Sequence, residues 1–221
     1  MGPALFHLAA GIAPVNDVTL IEHPLVQHSL TRLRHQGTRS DEFRRCLAEV
    51  ATLMVYEATR SFPTKKIRVA TPLAEADGFE LEREVILVPV LRAGLGMLPS
   101  ILQLIPHARV GFIGLKRHEE TLEAAAYHKS LPEDLRGFEI ILIDPMLATG
   151  GSALAALDLL FERRAEHVRL VNLVAAPEGI RAVRARYATV PIFTAAIDEK
   201  VNSRGFIVPG LGDAGDRLFG V

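Results

Sequence analysis

The stretch that most constrains the fold is residues 140–152, Ile-Ile-Leu-Ile-Asp-Pro-Met-Leu-Ala-Thr-Gly-Gly-Ser. Its consecutive branched apolar residues, Ile140, Ile141, Leu142 and Ile143, read as a strand buried on both faces, the kind found in parallel sheets. Pro145 has no N–H to give a ladder and Asp144 favours a turn, so the strand stops there. Thr149, Gly150, Gly151 and Ser152 then open an apolar-periodic run, Ala153 to Phe161, that reads as a helix. A strand, a glycine-bearing loop and a helix N-terminus form an anion site, because free N–H groups and the positive dipole end face one point. The glycines let backbone approach a phosphate, and Thr149 and Ser152 add hydroxyl donors. No Gly-Lys-Ser/Thr follows, and the stretch itself is not a Gly-x-Gly-x-x-Gly loop. The distinctive group is Asp144 at the strand end, ahead of the Thr-Gly pair. A carboxylate there suits the vicinal hydroxyls of a ribose whose phosphate sits on the helix end. The competing reading is an ordinary strand–turn–helix corner with a capping serine.

At these residues the chain resembles a known family. Asp-Pro-Met-Leu-Ala-Thr-Gly-Gly-Ser is similar to the loop with which uracil phosphoribosyltransferases, a branch of the type I phosphoribosyltransferase fold, bind 5-phosphoribosyl 1-diphosphate (PRPP). The resemblance implies that Asp144, Pro145, Met146, Leu147 and Ala148, with Thr149, Gly150, Gly151 and Ser152, bind PRPP.

The chain of 221 residues is long enough for one well-buried domain. A formal net charge of -1 gives no field to draw in nucleic acid or an anionic membrane. The single cysteine, Cys46, excludes an internal disulfide framework and a cysteine metal site. It follows Phe43 on an apolar helix face, so it reads as a packed small side chain. No apolar run reaches transmembrane length. Residues 1–17, broken by Gly2-Pro3 and by Gly11 to Pro14, read as a flexible N-terminal arm without the basic region of a secretory signal. A cytoplasmic protein is the expectation.

Residues 18–21 read as a short strand, and helical spacing begins at Leu25 and stops at Gly37. Ser40 is expected to cap a second helix, whose Phe43, Leu47, Val50 and Met54 form one apolar stripe. Residues 62–84 read as a hairpin projecting from the sheet. Residues 84–90 form a buried strand that feeds Leu91-Arg92-Ala93-Gly94, which puts Arg92 at a strand's carboxyl end, where open α/β sheets meet ligands. A guanidinium there clamps diphosphate oxygens bidentately. Residues 108–115 form a third strand opening into a charged loop, Lys116 to Glu123, from which Arg117 can fold over a diphosphate. By the resemblance, Arg92 and Arg117 are the two diphosphate arginines, the second on a mobile flap. Val168 to Val174 is the next strand. Pro177 suits the first turn of a helix whose Arg181, Arg184 and Arg186 read as a solvated face. Residues 190–197 form a fifth strand ending at Asp198.

Repeated βα units argue for a right-handed, mostly parallel central sheet flanked by helices. The expected fold is α/β and type I phosphoribosyltransferase-like, with the projecting hairpin and a C-terminal base-binding hood. Residues 18–221 would form one domain, with the hood at about 198–217. The tail Asn202 to Arg217, dense in glycine, is expected to form no regular element. Its main-chain groups come close to a small planar ligand. The resemblance places Ile207, Gly212, Asp213 and Ala214 on uracil, with Asp213 also beside the donor. Phe206 stands where the family usually has Tyr.

The resemblance therefore implies transfer of ribose 5-phosphate from PRPP to uracil, giving UMP and diphosphate in pyrimidine salvage. Arg92, Arg117, Asp144 and Asp213 would be the catalytic residues. Mg²⁺ would be carried by PRPP, with no metal held by the protein alone. It further implies a homo-oligomer, dimer or tetramer, and GTP as a candidate allosteric effector, with no nucleic-acid or membrane partner. Two other readings stay open at this point. One is a nucleotide-sensing regulator on the same fold, the other the same reaction on another base.

Overall fold

The computed structural model describes the backbone of residues 18–117 and 124–221 and the side chains of 18–115 and 127–221. The expected arm at 1–17 and the flap tip at 118–123 lie outside these residues. The described chain opens with β1 (Val18–Leu20), α1 (Pro24–Arg34) and α2 (Ser40–Ala58). The Ser40 cap is not formed. Phe43 N–H donates to the Arg39 carbonyl at 2.8 Å, so the first helical bond starts one residue earlier and Ser40 is already helical. The stripe is as read, with Phe43, Leu47, Val50 and Met54 all buried, and Cys46 packed among them. Burial pushes the Cys46 thiol above its ordinary value, as expected of an inert core cysteine.

β2 (Thr64–Ala70) and β3 (Glu75–Leu81) pair as an antiparallel hairpin with largely exposed side chains. Then follow β4 (Val85–Leu91), α3 (Leu98–Leu104), β5 (Arg109–Val110), β6 (Phe112–Arg117) and β7 (Ala124–Ser130). The charged run expected to be loop from Lys116 is strand as far as Arg117, which pairs antiparallel with Ala124. The backbone of Lys116 and Arg117 goes into a ladder because the small Ala124, Ala125 and Ala126 supply a facing strand.

The central elements are β8 (Glu139–Ile143), β9 (Met146–Leu147), α4 (Gly151–Glu162), β10 (His167–Ala175), α5 (Pro177–Arg186) and β11 (Ile192–Ile197). The main sheet runs β1-β11-β10-β8-β4-β6-β7, parallel throughout except for the β6–β7 pair. Side-chain alternation fills two cores. Ile141, Ile143 and Leu87 pack with the helices α1, α2 and α3 on one face, while Ile140, Leu142 and Ile86 pack with α4 and α5 on the other. Truncating Leu142 to Ala would cost about 2–5 kcal/mol, since it is fully buried.

The tail is more regular than its glycines suggest. β12 (Lys200–Val201) pairs with β13 (Ile207–Val208), and α6 (Ala214–Phe219) ends the chain. Asp213 caps α6 by accepting from Asp216 N–H at 2.9 Å, while Leu218 anchors the helix in the core beneath α2. The glycines sit in the turns around these elements, with Gly205, Gly210 and Gly212 at positive φ. No described helix is long and apolar enough to cross a membrane.

Candidate functional site

From β4 the chain goes outward to β6, and from β8 it goes the other way to β10 and β11, so the order reverses between β4 and β8. Ligands of open α/β sheets sit outside the strand carboxyl ends at such a point. Two loops leave that point side by side. A methyl group on Gly94 would lie 2.6 Å from the Ile143 carbonyl oxygen, so only glycine lets the turn after β4 pack on the end of β8. That turn carries Arg92, and β8 delivers Asp144.

The loop after β8 is fixed by the sheet itself. Its strand stops at Ile143 as expected but resumes at once. Pro145, which cannot donate, uses its carbonyl to accept from the N–H groups of Leu173 and Val174 at 2.9 and 3.0 Å. Met146 and Leu147 then pair with Val174 and Ala175 as β9. Gly150 caps α4 at φ 88°, a conformation that favours glycine, and Thr149 Oγ1 accepts from Gly151 N–H at 3.5 Å. Gly150 is therefore the residue that caps α4, not Ser152.

Asp144 is nearly buried, and its main-chain carbonyl accepts from the Asn172 side-chain amide at 2.6 Å. Asn172 lies inside β10 and is fully buried. Sequence reading passed over it, though a polar residue within an otherwise apolar strand was a visible signal.

A cavity of about 300 Å³ opens beside this loop. Asp144, Met146, Ala148 and Ser152 form its donor-loop wall, and Ile207, Gly212, Asp213 and Ala214 face them from the hood. All the residues expected on the base are thus brought together with five of those expected on the donor, Asp213 counting in both sets. Pro145, Leu147, Thr149, Gly150 and Gly151 shape the loop without lining the cavity. Arg204, Gly205, Phe206 and Gly215 of the expected hood line it too, and so does Ala93, which lies outside that segment.

Arg92 stands at the cavity's edge rather than in its wall. Its guanidinium is about two-thirds exposed and 3.9 Å from Asp216 in the first turn of α6, a weak pair in water. The Leu91–Arg92 peptide is cis. The backbone of Arg117 closes β6, while its side chain lies outside the described residues.

Pro177, Glu178 and Gly179 sit between the two walls. A methyl group at Gly179 would lie 2.6 Å from the Ala148 carbonyl oxygen and 2.7 Å from that of Leu147. The neighbouring Glu178 reaches the other way, its carboxylate accepting from Val201 N–H at 3.3 Å. Val201 is the strand partner of Ile207.

This sheet, with its donor-type loop and facing hood, defines a type I phosphoribosyltransferase. A purine phosphoribosyltransferase from Pyrococcus horikoshii shares the fold at a TM-score of 0.50 and 15% identity, covering 70% of this chain and 84% of that one. A family model described as uracil phosphoribosyltransferase matches residues 20–221. A protein named uracil phosphoribosyltransferase from Dictyoglomus turgidum is 50% identical over 204 residues, covering 92% of this chain and 99% of its own. A solved structure from Aquifex aeolicus is similar at a TM-score of 0.88 and 40% identity, over 92% of this chain and 98% of that one. The chain belongs to the uracil phosphoribosyltransferase family.

Proposed function

We propose that this chain transfers the ribose 5-phosphate group of PRPP to uracil, giving UMP and diphosphate, and that residues 18–221 act as one domain. The observation that carries the reading is the shared cavity, walled on one side by the donor loop and on the other by the hood. One small cavity between a sugar-phosphate site and a main-chain-lined pocket holds both reactants of a condensation in contact.

The bond formed joins uracil N1 to ribose C1, and the bond broken is from C1 to the diphosphate oxygen, whose electron pair leaves with diphosphate. The N1 proton is lost to water. Asp144 accepts from the ribose hydroxyls, and the free N–H groups at the start of α4 hold the 5-phosphate. Arg92, exposed and weakly paired, is available to the departing diphosphate, and Arg117 is the second cation there by resemblance. Asp213 orients the base and donor. Its capping bond to Asp216 holds it in place, and replacing it by Ala would cost α6 about 1 kcal/mol as well.

Among the described residues no group of three or more His, Cys, Asp and Glu could hold a metal ion. With only Asp144 and Asp213 as carboxylates in its wall, the cavity fits Mg²⁺ arriving on diphosphate oxygens better than an ion held by protein alone. Such an ion would neutralise charge on the leaving group. Family resemblance extends the proposal to a cytoplasmic homo-oligomer, dimer or tetramer, with GTP as effector.

The test is nucleotide formation from PRPP and Mg²⁺ with uracil, cytosine, hypoxanthine or orotate in turn. UMP from uracil alone is expected. A carbonyl that accepts from uracil N3–H leaves cytosine with a buried mismatch of about 1–3 kcal/mol. Product from a purine instead would overturn the base assignment.

A further inference from the structure

On the reading above, the base is met by main-chain groups of a glycine-rich turn. Such a turn has little stiffness of its own, yet recognition by backbone needs it fixed to within about 0.5 Å. The support comes from far away in the chain. Arg34 ends α1 and Asp198 follows β11, and the two form a bidentate pair at 2.7 and 2.6 Å. Asp198 is buried, at 8% exposure.

This pair also engages both main-chain groups of one hood residue. Gly210 N–H donates to Asp198 Oδ2 at 2.7 Å, and the Gly210 carbonyl accepts from Arg34 Nη1 at 2.8 Å. Gly210 in turn is pressed on Ile207. At φ 61°, a methyl group there would lie 2.2 Å from the Ile207 carbonyl oxygen. The next carbonyl, of Leu211, accepts from Arg217 Nη1 at 2.9 Å, while Arg217 also donates to the carbonyls of Leu33 and His35 at the end of α1. The bonds to Gly210 and Leu211 fix the chain just ahead of Gly212, Asp213 and Ala214. Neither Arg34 nor Asp198 lines the cavity.

We propose that Arg34 and Asp198 are positioning residues for base recognition, holding the turn 207–212 where its main chain can read the base. This rests on the function proposed above. The pair has to be Arg with Asp. A planar fork satisfies two carboxylate oxygens and a carbonyl together, which a lysine ammonium on one flexible stem cannot do.

The experiment compares wild type with Arg34→Lys, Arg34→Met and Asp198→Asn, measuring both KM values, the calorimetric Kd for UMP and exchange of the Gly210 amide. The variants are expected to raise KM for uracil about tenfold or more, with KM for PRPP within about twofold. Arg34→Lys should recover part of what Arg34→Met loses, and Gly210 exchange should quicken in each variant. If Arg34→Met or Asp198→Asn fails to fold, Arg34→Lys carries the test. Uracil KM unchanged in an active variant, or both KM values rising together, would overturn the positioning role while wild-type UMP synthesis stood. Wild type that neither makes nor binds UMP would overturn the function itself, and this proposal with it.

Discussion

The donor loop and the hood close one cavity by opposite means. Residues 144–152 are supported from both ends by regular structure, with β8 buried on both faces before them, β9 inside the sheet, and α4 after them. The hood has only two-residue strands and one short helix, and its glycines take conformations open to few other residues. Its rigidity is borrowed. Asp198 and Gly210 are tied to Arg34 across 164 and 176 positions of sequence. A site supported by its own strand and helix should tolerate distant changes and fail on local ones. A site supported by long-range side chains should show the reverse.

The largest expected effect is at the donor loop. On the proposed ribose role, Asp144→Asn should lower kcat/KM for PRPP by about 10²-fold while changing KM for uracil little, since it removes the charge that meets the ribose hydroxyls yet keeps an amide oxygen able to accept from Met146 N–H. Steady-state kinetics with each substrate varied would show it. A kcat/KM for PRPP close to that of wild type would end the ribose assignment, and with it the idea that the walls serve different substrates.

The Pro177–Gly179 corner offers the next effect, because adjacent residues there support different walls. Gly179→Ala should raise KM for PRPP about 10-fold or more, as its new methyl must displace the Leu147 and Ala148 carbonyls. Glu178→Ala should act on uracil instead, raising its KM about threefold through Val201 and Ile207. Glu178→Gln, which keeps an acceptor for Val201 N–H, should restore most of it. If both alanine variants weakened the same substrate, the corner would be a single rigid block and the two-wall contrast would be lost.

What could be read from sequence follows the same division. The donor loop was legible because Ile140–Ile143, Asp144-Pro145 and Thr149-Gly150 each dictate local geometry without help. The mostly parallel sheet and the projecting hairpin followed from the same short-range signals, while the order of strands within the sheet did not. For the hood, Ile207, Gly212, Asp213 and Ala214 were reached through resemblance, while its short strands and α6 were missed. Glycine density hides a helix whose stability comes from Leu218 under α2 and from the Asp213 cap. Ser40 was misjudged by one residue, within the usual uncertainty of a helix end. Arg34, Asp198 and Glu178 carried no signal, because their partners are set by tertiary packing alone.

The smallest effect separates stability on the donor side from the hood. α4 leans on α5 through Phe161 stacked on Tyr187 at 4.9 Å, and the Tyr187 hydroxyl donates to Asp158. Burial, together with that carboxylate, pushes the Tyr187 phenol from its ordinary 10.0 up to about 12. The folded state therefore keeps a proton that the unfolded chain releases first. The stabilisation is fully present below about pH 10 and is lost as pH rises toward 12. Tyr187→Phe should lower Tm by a few degrees near neutral pH, for loss of about 1 kcal/mol of hydrogen bond. The gap to wild type should narrow steadily above pH 10, while Gly210 amide protection at neutral pH stays as in wild type. A gap independent of pH would mean the phenol is not held protonated by Asp158. Loosened Gly210 would mean that strain in the α4–α5 layer reaches the hood, which the separate supports of the two walls argue against.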